Sequence, residues 1–96
     1  MIRGKVFLAL GPALLLLAGC DIPPEGTNVE DVARYEAAVA SIGCVMRDES
    51  DYLPVELQAD LTREQTTAIS SYLLASERAV KLSDGGIKLT TGACAE

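Results

Sequence analysis

At 96 residues the chain has room for one small domain, and its 14 acids against eight basic residues leave a net charge of −6. It has no histidine, which removes the commonest general base, the commonest metal ligand and every histidine-dependent triad. The acidic balance also argues against a nucleic-acid partner, because like charges repel along the phosphate backbone.

Charge divides the chain in two. Arg3 and Lys5 are the only charged residues before Cys20, so the part from Cys20 onward carries six basic residues against all 14 acids, a net of −8. Within it, residues 20–64 hold 11 of those acids.

Met1 to Lys5 is a short basic start, and Val6 to Leu17 is an apolar run of 12 residues interrupted by Gly11-Pro12. That run is well short of the roughly 20 residues a membrane span requires, and the layout is that of an export signal. Leu17-Ala18-Gly19-Cys20 then resembles the lipobox of bacterial lipoproteins. The resemblance covers the first 20 residues. It implies that residues 1–19 are a signal peptide that is removed, that the Cys20 thiol receives a diacylglyceryl group, and that the new N-terminus is often acylated as well, with fatty acids such as palmitate. Each buried methylene contributes about 0.8 kcal/mol, so two chains anchor the protein stably. The resemblance places the mature protein on the periplasmic side of an envelope membrane. Asp21 resembles the inner-membrane retention signal of enteric bacteria, with the outer membrane as the alternative.

Residues 20–27 read as anchor and linker: Asp21 to Thr27 holds two prolines and a glycine, and extended it would span roughly 20 Å. The domain is expected over residues 28–96. Thr27-Asn28-Val29-Glu30 fits a capping box, opening a helix over about 28–47. Val32, Tyr35, Val39, Ile42 and Met46 recur on one apolar stripe of it, and Ala33, Ala37, Ala40 and Cys44 form a second stripe of small groups suited to close packing.

Asp48 to Asp51 reads as an acidic loop, and Pro54 suits the first turn of a short helix over 54–60, with Leu53, Val55, Leu57 and Leu61 buried. Thr62-Arg63-Glu64-Gln65 is a second capping box and predicts a helix over 63–76, with Ala68, Ile69, Tyr72, Leu73 and Leu74 inward. Beyond it the period falls to two. Asp84-Gly85 between alternating apolar residues predicts a hairpin of 80–82 with 87–89, in which Leu82 faces Ile87, Val80 faces Leu89 and Lys81 opposes Lys88.

The expected fold is therefore mainly α with a small β-hairpin. Three helices followed by a hairpin resemble the layout of a winged-helix domain, a likeness of topology from which no function transfers.

With Cys20 lipidated, Cys44 and Cys94 remain as an even pair in a compartment that is oxidising if it is periplasmic, and a disulfide is expected. A redox pair and an intermolecular bridge are the alternatives. No second cysteine stands two residues away to favour the redox reading.

No catalytic motif is present: Ser-x-x-Lys and Gly-x-Ser-x-Gly are absent, and Gly85, Gly86 and Gly92 read as turn glycines. Asp48, Glu49 and Asp51 with Glu56 and Asp60 lack the spacing of a calcium loop. Neither a metal nor a cofactor is expected, and no small-molecule substrate is indicated. The expectation is a non-enzymatic accessory or scaffolding lipoprotein with an envelope protein as partner. The alternative is a small periplasmic binder that uses its acidic surface to inhibit a basic enzyme. Some lysozyme inhibitors are small disulfide-bonded lipoproteins of that kind, though no motif here matches one.

Overall fold

Asn28, in extended backbone, opens helix α1 (Val29–Ser41): its side chain accepts the Asp31 N–H at 2.8 Å and the Asp31 carboxylate accepts the Asn28 N–H at 3.1 Å. The capping box thus stands one residue later than Thr27-Glu30. Thr27 is engaged elsewhere, its N–H and hydroxyl both donating to the Pro24 carbonyl. This computed structural model describes residues 22–95; the lipobox with Cys20, Asp21 and the last residue lie outside the described residues.

The helix ends at Ser41 and does not run on to Arg47. Gly43 takes φ +102°, its N–H reaches the Ala40 carbonyl, and the Cys44 N–H reaches that of Val39. This pair of bonds is the Schellman stop that glycine favours. Met46, expected on the helical stripe, is fully buried from a two-residue strand instead, β1 (Val45–Met46).

Asp48 caps the next helix, α2 (Glu49–Ala59), by accepting the Ser50 N–H at 3.1 Å. The expected acidic loop is therefore the first turn of α2, where carboxylates suit the exposed N–H groups and the positive end of the helix dipole. Pro54 consequently lies inside the helix, where it removes one backbone donor. Asp60, at φ +57°, ends α2.

Helix α3 (Arg63–Ala75) follows the predicted capping box closely: Gln65 N–H donates to the Thr62 hydroxyl at 3.1 Å and Thr62 N–H to the Gln65 side chain at 3.0 Å. It ends one residue before the predicted limit, and Glu77 takes the left-handed conformation beyond it.

Strands β2 (Ala79–Lys81) and β3 (Ile87–Leu89) form the predicted hairpin, with β1 added on the far side of β3 in an antiparallel sheet of order β1-β3-β2. The register differs from the expectation by one residue: Ala79 pairs with Leu89, Val80 with Lys88 and Lys81 with Ile87. The turn explains the shift. Leu82 N–H bonds the Gly86 carbonyl and Gly85 N–H bonds that of Leu82, so the loop has three residues and ends on Gly85 at φ +94°. A slip of one residue exchanges the faces of a strand. Ala79 is accordingly buried and Val80 is 45% exposed, and the two lysines do not oppose each other.

The fold is mainly helical, three helices with a small three-stranded antiparallel sheet. Tyr35 and Val39 of α1, Val55 of α2, Ile69 and Leu73 of α3, and Met46 and Leu89 of the sheet meet in one core. A single turn of 3-10 helix (Gly92–Cys94) packs onto α1 and brings Cys94 to the core.

Candidate interaction surface

The sequence singled out three cysteines. Cys20 lies outside the described residues. Cys44 and Cys94, 50 positions apart in the chain, stand with their Cα atoms 5.7 Å apart and their sulfurs in bonding geometry, as a disulfide requires. The pair ties the turn after α1 to the 3-10 turn at the far end of the chain. The small-residue stripe is covered only toward this end. Ala33 and Ala37 are exposed and Ala40 is half-buried.

The acidic residues of α2 are occupied by neighbouring groups. Asp48 accepts both the Ser50 N–H and hydroxyl, and Asp51 accepts the Arg47 N–H at 2.8 Å. Glu49 takes a two-point bond from Arg63, at 2.7 and 3.1 Å, and Glu56 pairs with the same guanidinium, whose other side lies 4.9 Å from the centre of the Tyr52 ring. The Arg63 bonds hold the Glu49 carboxyl below its usual range and raise the Arg63 pKa. Similarly, the Arg47 guanidinium, 2.7 Å away, and the Gly86 N–H hold the Asp84 carboxyl low. Among the described residues no group of three acidic, cysteine or histidine side chains comes together to hold a metal ion.

Apolar depressions mark the surface of the described residues. One, of about 290 Å³, is lined by Pro23, Val29, Val32 and Tyr72, with Glu36 and Arg78 beside them, and the Arg78 guanidinium stacks 5.2 Å from the Tyr72 ring centre. Here the segment expected to be a free linker is already in contact with the domain. The Gln65 side chain also donates to the Gly26 carbonyl at 3.1 Å.

Another, of about 260 Å³, lies on α2 between Leu53, Leu57 and Leu61, with Glu56 and Asp60 at its edge. Leu53 and Leu57, expected in the core, are 53% and 80% exposed. The reason is geometric. Residues two apart on a helix point about 200° apart, so Leu53 and Leu57 cannot share a face with Val55 and Ala59. Val55 and Ala59 are the buried pair, and Leu61 turns inward only after the helix has ended. The helical spacing alone could have separated the two pairs, although not which of them faces inward.

No helix among the described residues is long and apolar enough to cross a membrane. Compared with protein-family models, with curated proteins and with solved structures, the chain finds no match.

Proposed function

We propose that the protein is a bacterial lipoprotein, anchored to an envelope membrane through fatty chains on Cys20, whose small domain has a non-enzymatic accessory or scaffolding role and binds an envelope protein. The observation that carries this is the lipobox Leu17-Ala18-Gly19-Cys20, placed directly after a basic start and a 12-residue apolar run. Two features of the domain support it. A disulfide-compatible pair suits an oxidising compartment. The carboxylates gathered on α2 are consumed by caps and by Arg63, so they are not poised as an acid and a base.

The order helix, strand, helix, helix, strand, strand, with β1 beside the hairpin, supports a winged-helix-like reading of the domain. With a net charge of −8 from Cys20 onward, such a domain is suited to protein contact and not to DNA.

Mass analysis of the protein taken from membranes tests the reading. The expected product begins at Cys20, carries two or three acyl chains, and yields a linked Cys44–Cys94 peptide. An unprocessed, acyl-free chain recovered from the cytosol with both thiols reduced overturns it. The acidic surface supports one second reading, capture of a basic enzyme. Binding to such an enzyme that survives about 0.15 M salt favours it, whereas binding lost at that salt is charge attraction alone.

A further inference from the structure

We infer that the leucine ridge of α2, Leu53 and Leu57 with Leu61 as its floor, is a docking site for a basic amphipathic helix of an envelope protein. The inference rests on the reading of the domain as a protein-interaction module and names the chemistry of its partner.

Leu53 and Leu57 are four residues apart and therefore neighbours on one face of the helix, and both extend into solvent. With Leu61 they outline one continuous depression. Leu53 and Leu57 stand one turn, roughly 6 Å, apart along the helix with Leu61 just beyond its end, and a ridge of this kind is complementary to apolar side chains recurring at three and four residues.

Charge decides between occupants. From Asp48 to Arg63 the chain carries five carboxylates and a single guanidinium. Arg63 is already taken by Glu49 and Glu56, and Asp60, exposed beside Leu57, has no ion-pair partner among the described residues. An acidic rim repels anionic lipid head groups, so a bilayer is disfavoured. A second copy meeting the same face across a twofold would set one acidic rim against the other. Lysine or arginine flanking an apolar helical stripe meets both requirements: leucine enters the depression and a cation faces Asp60, the unpaired carboxylate at its edge.

The test uses the full chain as the cell processes it, held in phosphatidylcholine nanodiscs where it carries acyl chains. It is titrated with a labelled helical peptide of about 18 residues bearing leucines on one face and lysines beside them. The expected result is saturable binding at least tenfold tighter than that of the same peptide with glutamates in place of the lysines. Leu57→Lys weakens binding at least tenfold, and Val80→Lys, a change at an exposed valine on β2, leaves it unchanged. Circular dichroism melts check that the variants are folded, and Leu57→Gln serves if Leu57→Lys is not.

Equal binding of the two peptides, or binding indifferent to Leu57, overturns the inference. So does a Leu57-dependent association with phosphatidylethanolamine–phosphatidylglycerol vesicles, or Leu57-dependent self-association by sedimentation, in place of peptide binding. The lipoprotein reading stands or falls separately on the mass of Cys20. Acylated protein that ignores the basic peptide rejects only the docking site, and an acyl-free protein that binds it rejects only the anchor.

Discussion

The hydroxyls of Tyr35 and Ser70 are 2.6 Å apart across the α1–α3 interface, a hydrogen bond between two buried residues separated by 35 positions in the chain. Each satisfies the polar group that the other brings into the core, so neither can be removed alone without leaving a buried hydroxyl unpaired. Burial, only partly offset by the Ser70 bond, pushes the Tyr35 pKa up from its usual 10.0 to about 12.

The sign follows from linkage. The folded state keeps the Tyr35 proton at pH values where the unfolded chain has lost it, so this stability is complete below pH 10 and is lost as pH rises from 10 to 12. The loss amounts to about 2–3 kcal/mol. Urea denaturation of the wild type should show that decline above pH 10. Tyr35→Phe should be less stable near neutral pH by about 1–3 kcal/mol and should decline less steeply at high pH. Parallel alkaline curves for the two proteins would show that Tyr35 ionisation is not what destabilises the fold.

Joining Cys44 to Cys94 closes a loop of 50 residues, for which the chain-entropy estimate is roughly 4 kcal/mol. At about 4–8 °C per kcal/mol for a domain of this size, reduction or Cys94→Ser should lower Tm by roughly 20 °C. Thermal melts with and without reductant measure this. A Cys44→Ser/Cys94→Ser variant that melts with the oxidised protein would rule out a stabilising bridge.

Glu77 ends α3 in the left-handed conformation at φ +64°, with the Arg78 N–H bonded to the Leu73 carbonyl at 2.8 Å. That position favours glycine, so Glu77→Gly should stabilise the domain by about 0.5–1 kcal/mol. Asp60 ends α2 at φ +57°. Aspartate tolerates this region better than glutamate, and Asp60→Gly should gain less. Denaturant midpoints for the two variants provide the comparison, and a loss of stability in Glu77→Gly would refute the argument.

Gly85 and Gly86 should resist substitution for different reasons. Gly85 has open space around it but φ +94°, whereas a Cβ on Gly86 would come within 2.9 Å of Arg47 Cγ and 3.2 Å of the Met46 carbonyl. Gly86→Ala should therefore displace Arg47 from Asp84 and cost about 1–3 kcal/mol. Asparagine should be milder than alanine at Gly85 and no better at Gly86. Melting the four single variants distinguishes conformational strain from lack of room.

Local chemistry made much of this protein legible in its sequence: the mainly helical class, the third helix with its Thr62–Gln65 box, the hairpin around Asp84-Gly85, and the even cysteine pair all rest on neighbouring residues or on simple counting. The end of α1 has a local signal too, Gly43, but the apolar stripe carries the expected helix past it to residue 47. Three features were decided only in the folded structure. Strand β1 has only two residues and exists because Val45 and Met46 pair with Lys88 and Ile87, more than 40 positions away. The hairpin register turned on one extra loop residue, which alternation alone does not specify. The inward face of α2 was decided by what packed against it: Val55 and Ala59 met the core, and that choice left Leu53 and Leu57 in solvent. Periodicity shows which residues share a face, but only the packed partners determine which face is buried.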